Sequence, residues 1–150
     1  MRDNSAVAGR TLVGLILLAS GLHKLFGAPE EFAAVIEKYM ILGGEDALMA
    51  AARAMPLAEV LVGLALVLGW RVRLAAVGAF SLFGIFLTAL ASTKLRGIAL
   101  EDCGCFGKGI HIPPHWTMAL DSVLMCLSYW AWTRPQAGAW LDGWVERGTP

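Results

Sequence analysis

Four long apolar runs, separated by short polar stretches, dominate the pattern along the chain. A helix needs about 20 mostly apolar residues to cross the hydrocarbon core of a bilayer. The runs predict membrane spans over about 6–26, 47–70, 73–94 and 116–133. The third is the cleanest, with 20 uncharged residues between Arg73 and Lys94. The first carries Arg10 near one end and Lys24 near the other, both able to reach an interface on their long stems. Pro56 and Glu59 lie inside the second, and Asp121 inside the fourth. Gly9, Gly14, Gly21, Gly63, Gly78 and Gly84 suit close helix packing in lipid. A cleaved signal peptide competes for the first run, with Arg2 and Arg10 in its basic region. The apolar run continues past the small residues that mimic a cleavage site, and a polar motif follows, so a span is favoured.

Two shorter patterns are amphipathic. Phe32, Val35, Ile36, Tyr39 and Met40 recur at helical spacing, while Glu31, Glu37 and Lys38 fall elsewhere on the wheel. With Pro29 and the glutamates at its start, this stretch predicts a short interfacial helix over about 30–42. After Pro135, Trp140, Leu141, Trp144 and Val145 mark one face of an amphipathic tail over 134–150. All 6 tryptophans sit at span ends or in the tail, as an aromatic belt requires. The expected fold is all-α: an integral membrane four-helix bundle over 1–133, with a short interfacial helix after the first span.

Composition agrees. Of 150 residues, 57% are hydrophobic and 16% charged, against roughly 45–50% and about 25% in ordinary globular domains. A soluble domain of this size could not cover so much apolar surface, and disorder requires the opposite composition. The 12 basic and 12 acidic residues cancel, leaving no basic surplus to hold nucleic acid. There is no nucleotide-binding glycine loop and no haem-attachment motif. The 3 cysteines are too few for a secreted disulfide scaffold.

Four spans put both termini on one side. Arg2, Arg10, Arg71, Arg73, Arg134 and Arg147 on that side balance Lys24, Lys38, Arg53, Lys94, Arg96 and Lys108 on the other. The short, acid-free connection Gly69-Trp70-Arg71-Val72-Arg73 breaks the tie. It predicts cytoplasmic termini, a multi-pass location in a bacterial inner membrane, and a periplasm-facing loop over 95–115.

That loop holds Cys103 and Cys105, separated by Gly104 and followed by Gly107 and Gly109. A Cys-x-Cys pair closes a small, strained disulfide ring, and strained exposed disulfides are the labile, oxidising ones. Arg96 and Lys108 favour a thiolate, whereas Glu101 and Asp102 oppose it. A redox dithiol is the leading reading. A structural disulfide is the second. A zinc or copper site of Cys103, Cys105, His111 and His115 is the third, weakened because Pro113-Pro114 disfavours a helical presentation of the histidines. Cys126, alone in the fourth run, reads as a small core residue. Lys24, Glu59 and Asp121 fall at similar depth on the side of the cysteine loop. They are expected to form a polar cluster that locks the bundle through ion pairs, or else provides a proton path or polar pocket beneath the dithiol.

Together these pieces resemble the MauE/DoxX-like redox-associated membrane proteins. The residues that carry the resemblance are Ser20-Gly21-Leu22-His23-Lys24, Pro56-Leu57-Ala58-Glu59 with Gly63, Asp102-Cys103-Gly104-Cys105-Phe106-Gly107, and Asp121. The Asp-Cys-Gly-Cys-Phe-Gly stretch points to the MauE side. The resemblance covers roughly Gly9 to Trp132 and implies a four-helix membrane bundle similar in outline to vitamin K epoxide reductase-type proteins. It also implies a part in methylamine utilisation, in maturing a disulfide-rich dehydrogenase subunit beside a periplasmic thioredoxin-like partner. Cys103 and Cys105 then become the thiol-exchange pair of an oxidoreductase component, and Lys24, Glu59 and Asp121 the family's polar positions. The vitamin K epoxide reductase type relays electrons through two cysteine pairs to a quinone. Only one pair exists here, so a quinone cofactor stays open. Fold alone does not fix the pathway. A non-catalytic accessory subunit of a larger membrane complex and a Cys/His metal-binding membrane protein are the alternatives.

Overall fold

The computed structural model describes residues 4–98 and 113–134. Cys103, Cys105, His111 and the tail's apolar face lie outside the described residues. Within them the elements are five helices: α1 (Asn4–Phe26), α2 (Pro29–Lys38), α3 (Glu45–Leu68), α4 (Val72–Leu95) and α5 (Pro114–Thr133). The fold is thus all-α, and α1, α3 and α4 are each long and apolar enough to cross a membrane. Asp121, two serines and the terminal tryptophans make α5 less apolar than these three.

The burial pattern is that of a protein dissolved in lipid. Leu15, Leu61, Leu74, Phe80 and Ile85 are exposed on the outside, while Arg10, Lys24, Glu59 and Asp121 are buried. In water such an arrangement would be inverted; in hydrocarbon the polar groups must find partners inside. The hydroxyls follow the same rule. Thr88 donates to the Gly84 carbonyl at 2.7 Å and Ser128 to that of Leu124 at 2.8 Å, so each is satisfied within its own helix.

α1 packs on α3, α3 on α4, α4 on α5 and α5 back on α1, while α2 lies mainly against α3. The α1–α3 seam is the tightest because glycines let the backbones meet. A Cβ on Gly14 would lie 2.8 Å from the Gly63 carbonyl oxygen, and one on Gly63 would lie 2.8 Å from that of Gly14. One end of the seam continues through Gly21, whose Cβ would lie 2.9 Å from the Pro56 carbonyl oxygen. Gly84, in contrast, faces open space. On α4, Ala75, Ala76 and Ala79 turn a small-residue face inward, meeting Val13, Leu17, Leu66 and Leu124 in the core.

Three local features extend or depart from the sequence-based expectations. The interfacial helix expected over 30–42 ends at Lys38. Met40 adopts the left-handed conformation, with φ 51°, which stops the helix. The turn is fixed from α4: Arg96 donates from Nη2 to the Tyr39 carbonyl at 2.6 Å and from Nη1 to that of Met40 at 3.0 Å. Second, Arg10 is buried, at 3% exposure, within the protein. Its guanidinium packs on Gly69, which closes α3 at φ 69°. There the last carbonyls of α3 present the negative end of the helix dipole. Third, Cys126 is no core residue: it is exposed on the outer face of α5, because Asp121, Leu124, Ser128 and Ala131 take the buried stripe.

Candidate functional site

The candidate site starts from the periodicity of α1. Ser20 and Lys24 are one helical turn apart, so both project from the same face. Gly21, between them, brings that face against α3 at Pro56 and Glu59. Pro56 has no backbone N–H and withdraws one intrahelical hydrogen bond from α3 a turn before Glu59. The Lys24 ammonium donates to Glu59 Oε1 at 2.6 Å and the Ser20 hydroxyl donates to Oε2 at 2.9 Å, so both carboxylate oxygens are engaged. The ion pair is shut away from solvent, with side-chain exposures of 1% for Lys24 and 0% for Glu59.

Aromatic rings complete the surround of the ammonium. The Phe32 ring of α2 lies 4.9 Å from Lys24 Nζ and the Phe86 ring of α4 lies 5.1 Å from it. Both distances suit cation–π attraction, which strengthens when the cation is desolvated. One charge thereby ties together α1, α2, α3 and α4. Lys24 is therefore enclosed by protein and paired. The arrangement gives each oxygen of a buried carboxylate its own donor inside an apolar bundle.

Asp121 is buried on α5, which packs on α4 and α1. It shares its buried face with Thr117, one turn earlier. The structure joins Lys24 to Glu59 directly, and Asp121 is a further buried polar group on α5. His115 is exposed and its ring lies 5.9 Å from that of Trp116. Among the described residues no three His, Cys, Asp or Glu side chains gather as a metal site.

Sequence reasoning gave no separate role to Ser20, although its spacing to Lys24 is a usable signal. It also left out the Arg96 contacts with Tyr39 and Met40, which no local pattern encodes.

Comparison with known proteins bears on the whole membrane region. The family model of the methylamine utilisation protein MauE matches residues 2–134. The methylamine utilization protein MauE of Paracoccus denitrificans is 34% identical over 116 residues, covering 77% of this chain and 61% of the relative. That of Paracoccus versutus is 33% identical over 120 residues, covering 79% of this chain and 63% of the relative. The chain therefore spans somewhat over three-fifths of the length of these relatives. No solved structure matches it. The length of the family match, with two relatives aligned over most of this chain, establishes that the chain belongs to the MauE family of membrane proteins.

Proposed function

We propose that this protein is a membrane component of thiol–disulfide exchange, with Cys103 and Cys105 as its exchanging pair and a periplasmic thioredoxin-like protein as its partner. The observation that carries the reading is the Asp102-Cys103-Gly104-Cys105 stretch in the connection between α4 and α5. The Arg96 hydrogen bonds to Tyr39 and Met40 support it, because they anchor the end of α4 from which that connection departs. On this reading α5 is the fourth span of a four-helix membrane bundle, both termini are cytoplasmic in a bacterial inner membrane, and the connection is periplasmic.

The chemistry is a two-electron exchange. One thiolate of the pair attacks the partner's disulfide, forming a mixed disulfide and expelling one partner thiolate. The second thiolate then displaces the other partner sulfur. The pair ends as a disulfide and the partner as a dithiol; the two protons lost by the pair are taken up by the partner's thiolates. Run in reverse, the same steps oxidise the partner, and through it a client protein. The Lys24–Glu59 pair, with Asp121 as a third buried polar group, locks the helices that support the exchange loop. The names of the relatives point to methylamine utilisation as the setting.

Trapping tests this reading. Cys103→Ser and Cys105→Ser, expressed singly with the partner, each leave one thiol. One of them is expected to accumulate a reducible adduct of chain plus partner. If neither variant forms an adduct, and partner redox state and client maturation are unchanged in both, the reading is overturned.

A further inference from the structure

A cavity of about 220 Å³ lies between α2, α3 and α4, outside the ion pair. Its walls include Phe32 and Val35 of α2, Tyr39 just after it, Met55 of α3, and Phe86 and Ala89 of α4. An apolar cavity of roughly 150 Å³ holds a benzene ring, so this one has room for a longer hydrocarbon. It is open along one side. Two of its lining residues are exposed, Ile85 at 54% in the middle of α4 and Ile41 at 52% beyond α2. Since α4 is a membrane span, an opening beside Ile85 faces lipid rather than water.

Arg96 stands at the interfacial end. It is exposed, and its side chain holds the Tyr39 and Met40 carbonyls together with the Ser92 carbonyl and hydroxyl. These contacts use four of the five guanidinium N–H groups. None of these partners is a carboxylate, so the positive charge is not neutralised among the described residues. Tyr39, whose carbonyl Arg96 holds, and Ile41, which follows Met40, both line the cavity. An apolar cavity with an arginine held at its Tyr39–Ile41 end has the polarity of a phospholipid, which joins hydrocarbon to a phosphate.

We propose that this cavity is a binding site for an anionic phospholipid of the surrounding bilayer. One acyl chain fills the cavity between α2, α3 and α4, and the headgroup phosphate sits at Arg96. The occupied site buttresses α2 against α4 and covers the outer sides of Phe32 and Phe86, the two rings that enclose Lys24.

The test uses full-length protein in phosphatidylcholine vesicles containing phosphatidylglycerol with a diazirine on one acyl chain. Photolysis is expected to label the cavity walls on α2 and α4 above the level at lipid-facing Leu15. Ala89→Trp, which fills the cavity, should abolish wall labelling and leave Leu15 labelling intact, which also shows that the variant is folded and inserted. Arg96→Gln should lower the preference for the phosphatidylglycerol probe over its phosphatidylcholine analogue roughly fivefold, the effect of about one basic residue at a membrane surface. Arg96→Lys keeps the charge and should retain most of that preference. Wall labelling no higher than at Leu15, labelling undiminished by Ala89→Trp, or equal wild-type labelling by the two probes overturns the proposal.

Discussion

Removing one member of the Lys24–Glu59 pair should cost far more than removing both. At 2.6 Å the attraction is about 6 kcal/mol for an effective dielectric constant of about 20. Against it stands the desolvation of two ions, several kcal/mol each, so the intact pair contributes little net stability. A single substitution breaks this balance. Lys24→Met leaves the Glu59 carboxylate with only the Ser20 hydroxyl as described partner, and Glu59→Gln leaves an ammonium between two phenylalanine rings. Each should destabilise the fold by about 3–5 kcal/mol. The double variant Lys24→Met/Glu59→Gln buries no charge and should be much closer to wild type than the sum of the two, with a coupling of at least about 2 kcal/mol. Reversible unfolding in mixed micelles, run as a double-mutant cycle, measures this. Two small, additive effects, each under about 1 kcal/mol, would instead describe a pair exposed to water and contradict a buried, coupled one.

Other consequences are local. Gly63→Ala places a methyl group 2.8 Å from the Gly14 carbonyl oxygen and should cost about 1–3 kcal/mol, whereas Gly84→Ala meets open space and should be neutral or gain up to about 1 kcal/mol; thermal unfolding of the two variants side by side separates them. Gly69→Ala forces a left-handed alanine, at about 1–2 kcal/mol, with its Cβ 2.9 Å from the Arg10 guanidinium; the same assay should show a loss at least that large, and Arg10→Met should remove the steric part. Because Cys126 is exposed on the outer face of α5, Cys126→Ser should change stability by less than about 0.5 kcal/mol, and a bilayer-soluble maleimide should label Cys126 in the folded protein.

The helices were legible because a bilayer leaves a spanning chain few ways to satisfy its backbone, so apolar run length translates into helix position. The ends were less so. The stop of α2 at Lys38 depends on Arg96, 56 residues beyond Met40, and no local pattern reports a contact of that range. The meeting of Lys24 and Glu59 followed from their similar depth, since buried opposite charges in neighbouring spans gain by pairing. Depth could not reveal Ser20 as the second donor, nor the ring pair above the ammonium. The burial of Arg10 could not be read from its position near a span end, because it depends on the carbonyl end of α3 at Gly69, far along the chain. Cys126 misled because its inward or outward sense depends on the register of α5. That register could have been read from Asp121, which must point inward and leaves Cys126 off the buried stripe.

On the proposed function, Cys103 and Cys105 are an accessible, cycling dithiol on the outer side of the membrane. The most direct measurement is thiol counting with a membrane-impermeant maleimide, applied to intact cells whose outer envelope has been permeabilised, in the variant Cys126→Ser. Two thiols that label from outside only after mild reduction, and are protected again on reoxidation by a thioredoxin-like protein, are the predicted result. Thiols that label only after the inner membrane is opened, or that never change state with the partner, contradict it.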